Sequence, residues 1–289
     1  MSDRQSTALV TRFAPSPTGL LHLGHAYSAL LAYQAAQTNG GIFHLRIEDI
    51  DTNRCRSEFE DAIYEDLAWL GLRWVEPVRR QSEHFGDYAK ALGKLTQKEL
   101  LYPCFCTRKD IQQEIAQSGQ APHVGPDGHL YPGTCRNLSK DEQESRIANN
   151  QPYALRLNMA EACERAGSLI WMDGNNNEAV TAAPEIFGDV ILARKDTPAS
   201  YHLACTLDDH LQGVTLVVRG EDLRPATHVH RLLQALLELQ TPAYRHHALI
   251  TNAEGVRLAK RNQAQTIRAL RGAGLSPQDL KSQAGVATN

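Results

Sequence analysis

The chain has 289 residues, 42% of them hydrophobic, and a formal charge of −3 from 30 Lys+Arg against 33 Asp+Glu. That length and apolar content can bury a sizeable core, which excludes a disordered chain and allows one large domain with insertions and a small appendage. The near-balance of charge does not by itself point to nucleic acid, and it leaves a local basic surface open.

The N-terminal MSDRQSTALV lacks the apolar core of a secretory signal, and no later segment approaches membrane-spanning length. A cytoplasmic location with no membrane partner is therefore expected. Residues 8–13 (ALVTRF) read as a strand, broken by the turn-forming APSPTG at 14–19. From Leu20 to about Gln37 the chain is Ala/Leu-rich and reads as a helix, stopped by Asn39-Gly40-Gly41. GIFHLRIED then reads as a second strand with an acidic pair at its C-terminal end. Two strands joined by a helix predict a right-handed crossover with the strands parallel. Helices are expected over 57–70 and 83–100. Residues 103–137 lose periodicity to Pro, Gly, His and Cys, and short β-like runs return at 153–159, 168–172 and 189–193. A strand at 214–219, a helix at 226–239 and a strand near 245–250 restore the α/β alternation, and the tail holds one or two short helices.

Pro15-Ser16-Pro17-Thr18-Gly19 followed by His22-Leu23-Gly24-His25 falls where a strand ends and a helix begins. In an open parallel sheet that is where ligands bind, and a helix N-terminus offers unpaired N–H groups suited to phosphate. His22 and His25 share one face at a spacing of three, and Gly24 lets a nucleotide approach the backbone. The full string RFAPSPTGLLHLGH resembles the first signature of the class I aminoacyl-tRNA synthetases, and of their glutamyl branch in particular. Near the C-terminus, Arg257-Leu258-Ala259-Lys260-Arg261 resembles the second signature, which in that branch commonly reads Lys-Leu-Ser-Lys-Arg. The resemblance implies ATP, as its magnesium complex, bound by Pro15, His22, Gly24, His25, Arg257 and Lys260. His22, His25 and Lys260 would stabilise charge building on phosphate oxygens in the transition state. Arg257 and Ala259 depart from the common pattern, and the lost serine hydroxyl implies altered ATP handling.

The same resemblance carries glutamate binding onto Arg12, Ala14, Ser16, Glu48, Tyr201 and Arg219. Glutamate has two carboxylates and one ammonium, so its pocket needs planar guanidinium donors, here Arg12 and Arg219, and an anion, here Glu48; Tyr201 adds a hydroxyl. Which arginine takes which carboxylate stays open. Cys104-x-Cys106, 24 intervening residues and Tyr131-x-x-x-Cys135 supply three thiols for a tetrahedral structural zinc. His123 and His129 are the chemically usual fourth ligands. The module resembles one in a truncated glutamyl-synthetase paralogue in which a tyrosine completes the site, which implies Tyr131, with His129 the alternative. Cys55, Cys163 and Cys205 read as buried or incidental.

The fold implied is α/β, a Rossmann-like parallel-sheet catalytic domain in two halves, 8–101 and 188–262. It is interrupted by a zinc-containing α+β acceptor-type subdomain at 102–187 and followed by a short helical tail at 263–289. Only 28 residues follow Arg261, too few for a helical anticodon-binding domain. The resemblance is thus to the truncated paralogues, a family that activates glutamate without tRNA. They transfer it to queuosine at the wobble position of tRNA(Asp), and the chain is expected to act as a monomer. Two rivals are a glutamyl synthetase charging the tRNA 3′ end and a catalytically inactive RNA-binding paralogue.

Overall fold

The computed structural model describes residues 8–38, 40–117, 124–250 and 265–286. Strand β1 (Val10–Phe13), helix α1 (Leu23–Thr38) and strand β2 (Ile42–Ile47) form the expected crossover, with β1 and β2 parallel in the register Val10↔Ile42. α1 has no β-branched residue before its last position, so side-chain entropy favours helix along its length. Its buried Ala26, Ala29, Ala32 and Ala36 let the helix lie close to the sheet, where the Thr11 hydroxyl donates to the Ala32 carbonyl at 2.8 Å. Gly40 ends the helix at φ +58°, and a Cβ on Gly41 would collide with the Leu9 carbonyl oxygen, so the return into β2 needs glycine.

Helix α2 (Ser57–Trp69) leads to the two-residue strand β3 (Arg79–Arg80), parallel to β2, and then to α3 (Phe85–Gln97). The stretch expected to be irregular contains β4 (Leu101–Cys104), helix α4 (Arg108–Gln117) and a small hairpin, β5 (Val124–Gly125) and β6 (Gly128–His129). Helix α5 (Lys140–Ala148), β7 (Ala154–Leu157) and α6 (Met159–Ala166) follow, then the hairpin β8 (Ile170–Asp173) and β9 (Glu178–Thr181), then β10 (Ile191–Ala193). Helix α7 (Tyr201–Leu211), β11 (Leu216–Gly220), α8 (Ala226–Leu237) and β12 (Ala243–His247) complete the core, and α9 (Ile267–Gly272) and α10 (Pro277–Gln283) form the tail.

The strands make a parallel set β1-β2-β3 and a second set in the order β11-β12-β8-β9, parallel except for the β8–β9 hairpin. Thr215 N donates to Val10 O at 2.9 Å, so β1 and β11 meet where the strand order reverses. β4, β7 and β10 form a separate antiparallel sheet. The chain between 102 and 187 thus contributes to both layers: β7 joins the antiparallel sheet and β8–β9 extends the parallel one.

One core gathers α1, β1 and β2 with Ile267, Leu270 and Leu280 of the tail helices; another gathers α3, α7 and α8 around Leu203, Val229 and Leu232. Arg271 of α9 bridges to Asp66 and Glu65 of α2 at 3.0 and 2.9 Å, which fixes the tail against the first half of the chain. Among the described residues, no helix is long and apolar enough to cross a membrane.

Candidate active site

At the C-terminal ends of β1 and β11 the chain opens a cavity of about 400 Å³. A reversal of strand order is where a parallel sheet leaves such a crevice. Arg12, Ala14, His22, Gly24, His25, Glu48, Tyr201 and Arg219, far apart in sequence, all line it.

His22 and His25 pack ring against ring at the start of α1, centroids 3.7 Å apart and planes tilted by 30°. Gly24 N donates to His22 Nδ1 at 3.1 Å and His22 N donates to His25 Nδ1 at 3.2 Å. With both Nδ1 atoms accepting, each neutral ring carries its proton on Nε2. A Cβ on Gly24 would sit 3.1 Å from the His22 ring, so glycine there lets the two rings pack together. Pro15 and Ser16 do not line the cavity. Pro15 supports it from behind, its carbonyl accepting from Glu48 N at 3.0 Å, while Ser16 is exposed on the turn.

The wall beneath Arg12 is a buried charge network that sequence patterns did not reveal. Arg12 donates to both oxygens of Asp209, at 3.0 and 3.4 Å, and Arg46 reaches the same carboxylate at 2.8 Å. Arg46 also contacts Glu48 at 3.3 Å, while Arg79 pairs with Asp208 at 2.8 Å. Three guanidiniums thus face Asp208, Asp209 and Glu48, and Arg79 also reaches the half-buried Asp87 at 3.0 Å. Burial disfavours charge on Asp209, but Arg12 and Arg46 outweigh it and hold its carboxyl below the usual range. Glu48 goes the other way: burial lifts its pKa, and Arg46 and Arg12 pull back only part of the shift. Cys205, expected to be buried or incidental, is buried and also lines the cavity, with Sγ 3.8 Å from Arg12 and 3.7 Å from Arg46. It faces inward because α7 presents position 205 one turn after Tyr201. Burial and the neighbouring Asp209 push its thiol up to about 12, so it stays neutral.

Arg219 is built differently. Only 5% exposed, it donates to Thr227 Oγ1 at 2.7 Å, His230 Nδ1 at 3.3 Å, and Tyr201 Oη and His246 Nε2 at 3.4 Å. Burial first, and then the Arg219 charge, keep both imidazoles neutral: His246 falls to about 3 and His230 lies well below the usual histidine range. Among the described residues, Arg219 has no carboxylate partner. Thr227, His230 and His246 carry no sequence signal; the signal that could have exposed the network is the adjacent acids Asp208 and Asp209 at the end of a mostly apolar run.

Lys260, Arg257 and Ala259 lie outside the described residues. The flanks of that stretch sit at the cavity: Leu249 and Ile250 line it, and Thr266 bridges to His22.

The three expected thiols converge beside β4. The Sγ atoms of Cys104, Cys106 and Cys135 lie within 4.8 Å of one another, with Cys106 and Cys135 3.4 Å apart. Tyr131 Oη lies 3.5 Å from Cys106 Sγ and accepts from Cys135 N at 2.8 Å. Arg156 stacks over the Tyr131 ring at 3.9 Å. His129 is exposed on β6, and among the described residues no histidine nitrogen joins the group; His123 lies outside them. A tetrahedral Zn–S site with bonds of about 2.3 Å separates its sulfurs by about 3.8 Å, so this cluster has the dimensions of such a site.

The cavity thus brings a paired-histidine helix start and groups of both charge signs to the reversal point of a parallel α/β sheet. The family model described as tRNA synthetases class I (E and Q), catalytic domain, matches residues 8–283, and the chain belongs to that family. A glutamyl-Q tRNA(Asp) synthetase of Rhodobacter capsulatus is 43% identical over 96% of this chain and 100% of its own length. Another, of Nitratidesulfovibrio vulgaris, is 42% identical over 93% of this chain and 83% of its own. The crystal structure of a glutamate-tRNA synthetase from Elizabethkingia anophelis superposes with a TM-score of 0.80 at 27% identity, covering 96% of this chain and 61% of that one.

Proposed function

We propose that the chain activates glutamate with ATP in the absence of tRNA and then transfers it to queuosine at the wobble position of tRNA(Asp). The observation that carries the first step is Arg219, a buried cation without an anionic partner among the described residues, opening on the same cavity as the paired histidines. A carboxylate of glutamate completes its coordination. Glu48, anchored by Arg46 through one oxygen, presents the other side of its carboxylate to the substrate ammonium. Arg12, held rigid by Asp209, offers its remaining edge to the second carboxylate, and Tyr201 adds its hydroxyl.

The α-carboxylate of glutamate attacks the α-phosphorus of ATP, the bond to pyrophosphate breaks, and glutamyl-adenylate forms. The Nε2–H groups of His22 and His25 and the ammonium of Lys260 are the donors for phosphate oxygens as their charge grows. A hydroxyl of the queuosine cyclopentenediol then attacks the acyl carbon, releasing AMP and a proton. The acceptor is supported by the relatives of that name, which this chain matches along nearly its whole length.

The test is glutamate-dependent ATP–pyrophosphate exchange without tRNA, followed by labelled glutamate offered to queuosine-containing and queuosine-lacking tRNA(Asp) and to tRNA(Glu). Exchange, with label only on the queuosine-containing tRNA, is expected. No exchange removes the enzyme reading, and label on tRNA(Glu) moves the acceptor to the tRNA 3′ end.

We further propose that Cys104, Cys106, Cys135 and Tyr131 hold a structural zinc, which cross-links β4 to the turn at 131–137. The purified protein should contain about one zinc per chain. Cys135→Ser should lose the metal and Tyr131→Phe should weaken its retention under a chelator, whereas His129→Ala should keep it. Elemental analysis decides, and loss in His129→Ala with retention in Tyr131→Phe would exchange the two ligands.

A further inference from the structure

A line of hydrogen bonds leaves Arg219 on the side away from the cavity and ends at the protein surface. Arg219 lies 3.3 Å from His230 Nδ1, His230 Nε2 lies 3.3 Å from His202 Nδ1, and His202 Nε2 lies 3.3 Å from Asp127 Oδ2. Only one proton placement satisfies every link. A guanidinium can only donate, so His230 Nδ1 accepts and its proton sits on Nε2. His202 Nδ1 must then accept, and its own Nε2–H points to the Asp127 carboxylate. All three bonds run the same way, from cation to anion, through two neutral rings. Such a chain polarises cooperatively, and the terminal carboxylate makes His230 a better acceptor for Arg219.

The ends are placed by separate elements. His202 is in α7, His230 in α8, and Asp127 in the β5–β6 turn Pro126-Asp127-Gly128, where Gly128 takes φ +108°.

We propose that Asp127, His202 and His230 are positioning residues for Arg219, so that the β5–β6 hairpin, outside the cavity, sets the affinity for the substrate carboxylate. This rests on glutamate being the ligand of Arg219. Without the line, Arg219 loses an oriented acceptor and its fork can swing, which weakens ground-state and transition-state binding alike. The signature is therefore a change in KM and not in kcat.

The Asp127 side chain is 69% exposed, so its substitution leaves the core intact. In Asp127→Ala the KM for glutamate in pyrophosphate exchange should rise about three- to tenfold, the worth of one hydrogen-bond link, with kcat and the KM for ATP unchanged. Asp127→Asn, which keeps an acceptor oxygen, should recover most of that loss. His202→Phe should raise the same KM, and adding Asp127→Ala to it should do no further harm, because the line is already cut. Glutamate binding measured by calorimetry on the same proteins provides a readout that does not require turnover. A glutamate KM in Asp127→Ala within twofold of wild type, or a double variant that loses the sum of the two, overturns the proposal while leaving glutamate activation standing. Wild-type protein that neither exchanges nor binds glutamate overturns both.

Discussion

Arg219→Met should reduce kcat/KM for glutamate in pyrophosphate exchange by about 30-fold to about 5,000-fold, the usual cost of removing one partner from a buried, hydrogen-bonded charge pair. The free protein should nevertheless stay within about 1 kcal/mol of wild-type stability. The two expectations have one cause. In the free protein Arg219 is a buried cation whose partners are a threonine, a tyrosine and two neutral histidines. Removing it relieves an uncompensated charge, which offsets the hydrogen bonds lost. With glutamate bound, the same charge is what the substrate carboxylate meets. Exchange kinetics with a urea melt on the same preparation separate the roles: a variant that melts early and recovers activity at low temperature would make Arg219 structural rather than substrate-binding.

That distinction was out of reach from the sequence, where Arg12 and Arg219 are two strand-end arginines of equal standing. Their difference lies in what tertiary packing brings beside them, from far along the chain for Arg12 and from the next helix for Arg219. Asp209 arrives under Arg12 from 197 positions away, and Thr227 and His230 arrive beside Arg219 from α8. The fold was more legible where periodicity and punctuation agree. The crossover β1–α1–β2, helix α2 and helix α8 fall within about three residues of their expected bounds, because Ala/Leu runs and glycine stops act locally. Helix α5 was missed since it buries none of its residues and so carries no hydrophobic period, although Ser139 caps it by accepting from Glu142 N at 3.2 Å, a spacing visible in the chain. Helix α7 was missed for the opposite reason: eight of its eleven residues are buried, acids included, so no polar face marks its period.

Asp209→Asn should destabilise the protein by about 3–5 kcal/mol, the cost of stripping the counter-charge from a buried ion pair. The substitution keeps the size of the side chain, so the effect is electrostatic rather than a cavity. Arg12 is 5% exposed and Arg46 is fully buried, and among the described residues Asp209 is the one carboxylate that both touch. Burial alone would make each guanidinium easier to deprotonate; Asp209 is the largest influence in the opposite direction for both. In the variant two like charges face each other with only Glu48 and the more distant Asp208 near Arg46. The pH dependence has a definite sign. Because the native environment holds Asp209 below its ordinary range, its contribution is complete above the unfolded pKa and is lost as pH falls through the lower, folded value. The urea-melt gap between wild type and Asp209→Asn should therefore stay constant from neutrality down to about pH 4 and narrow below it. A gap that is small at pH 7, or that widens on acidification, would mean that Glu48 and Asp208 suffice for both arginines. Asp209 and Arg219 thus separate the two demands on one cavity: a paired charge network keeps the wall rigid, and a cation with no carboxylate partner among the described residues keeps the pocket receptive.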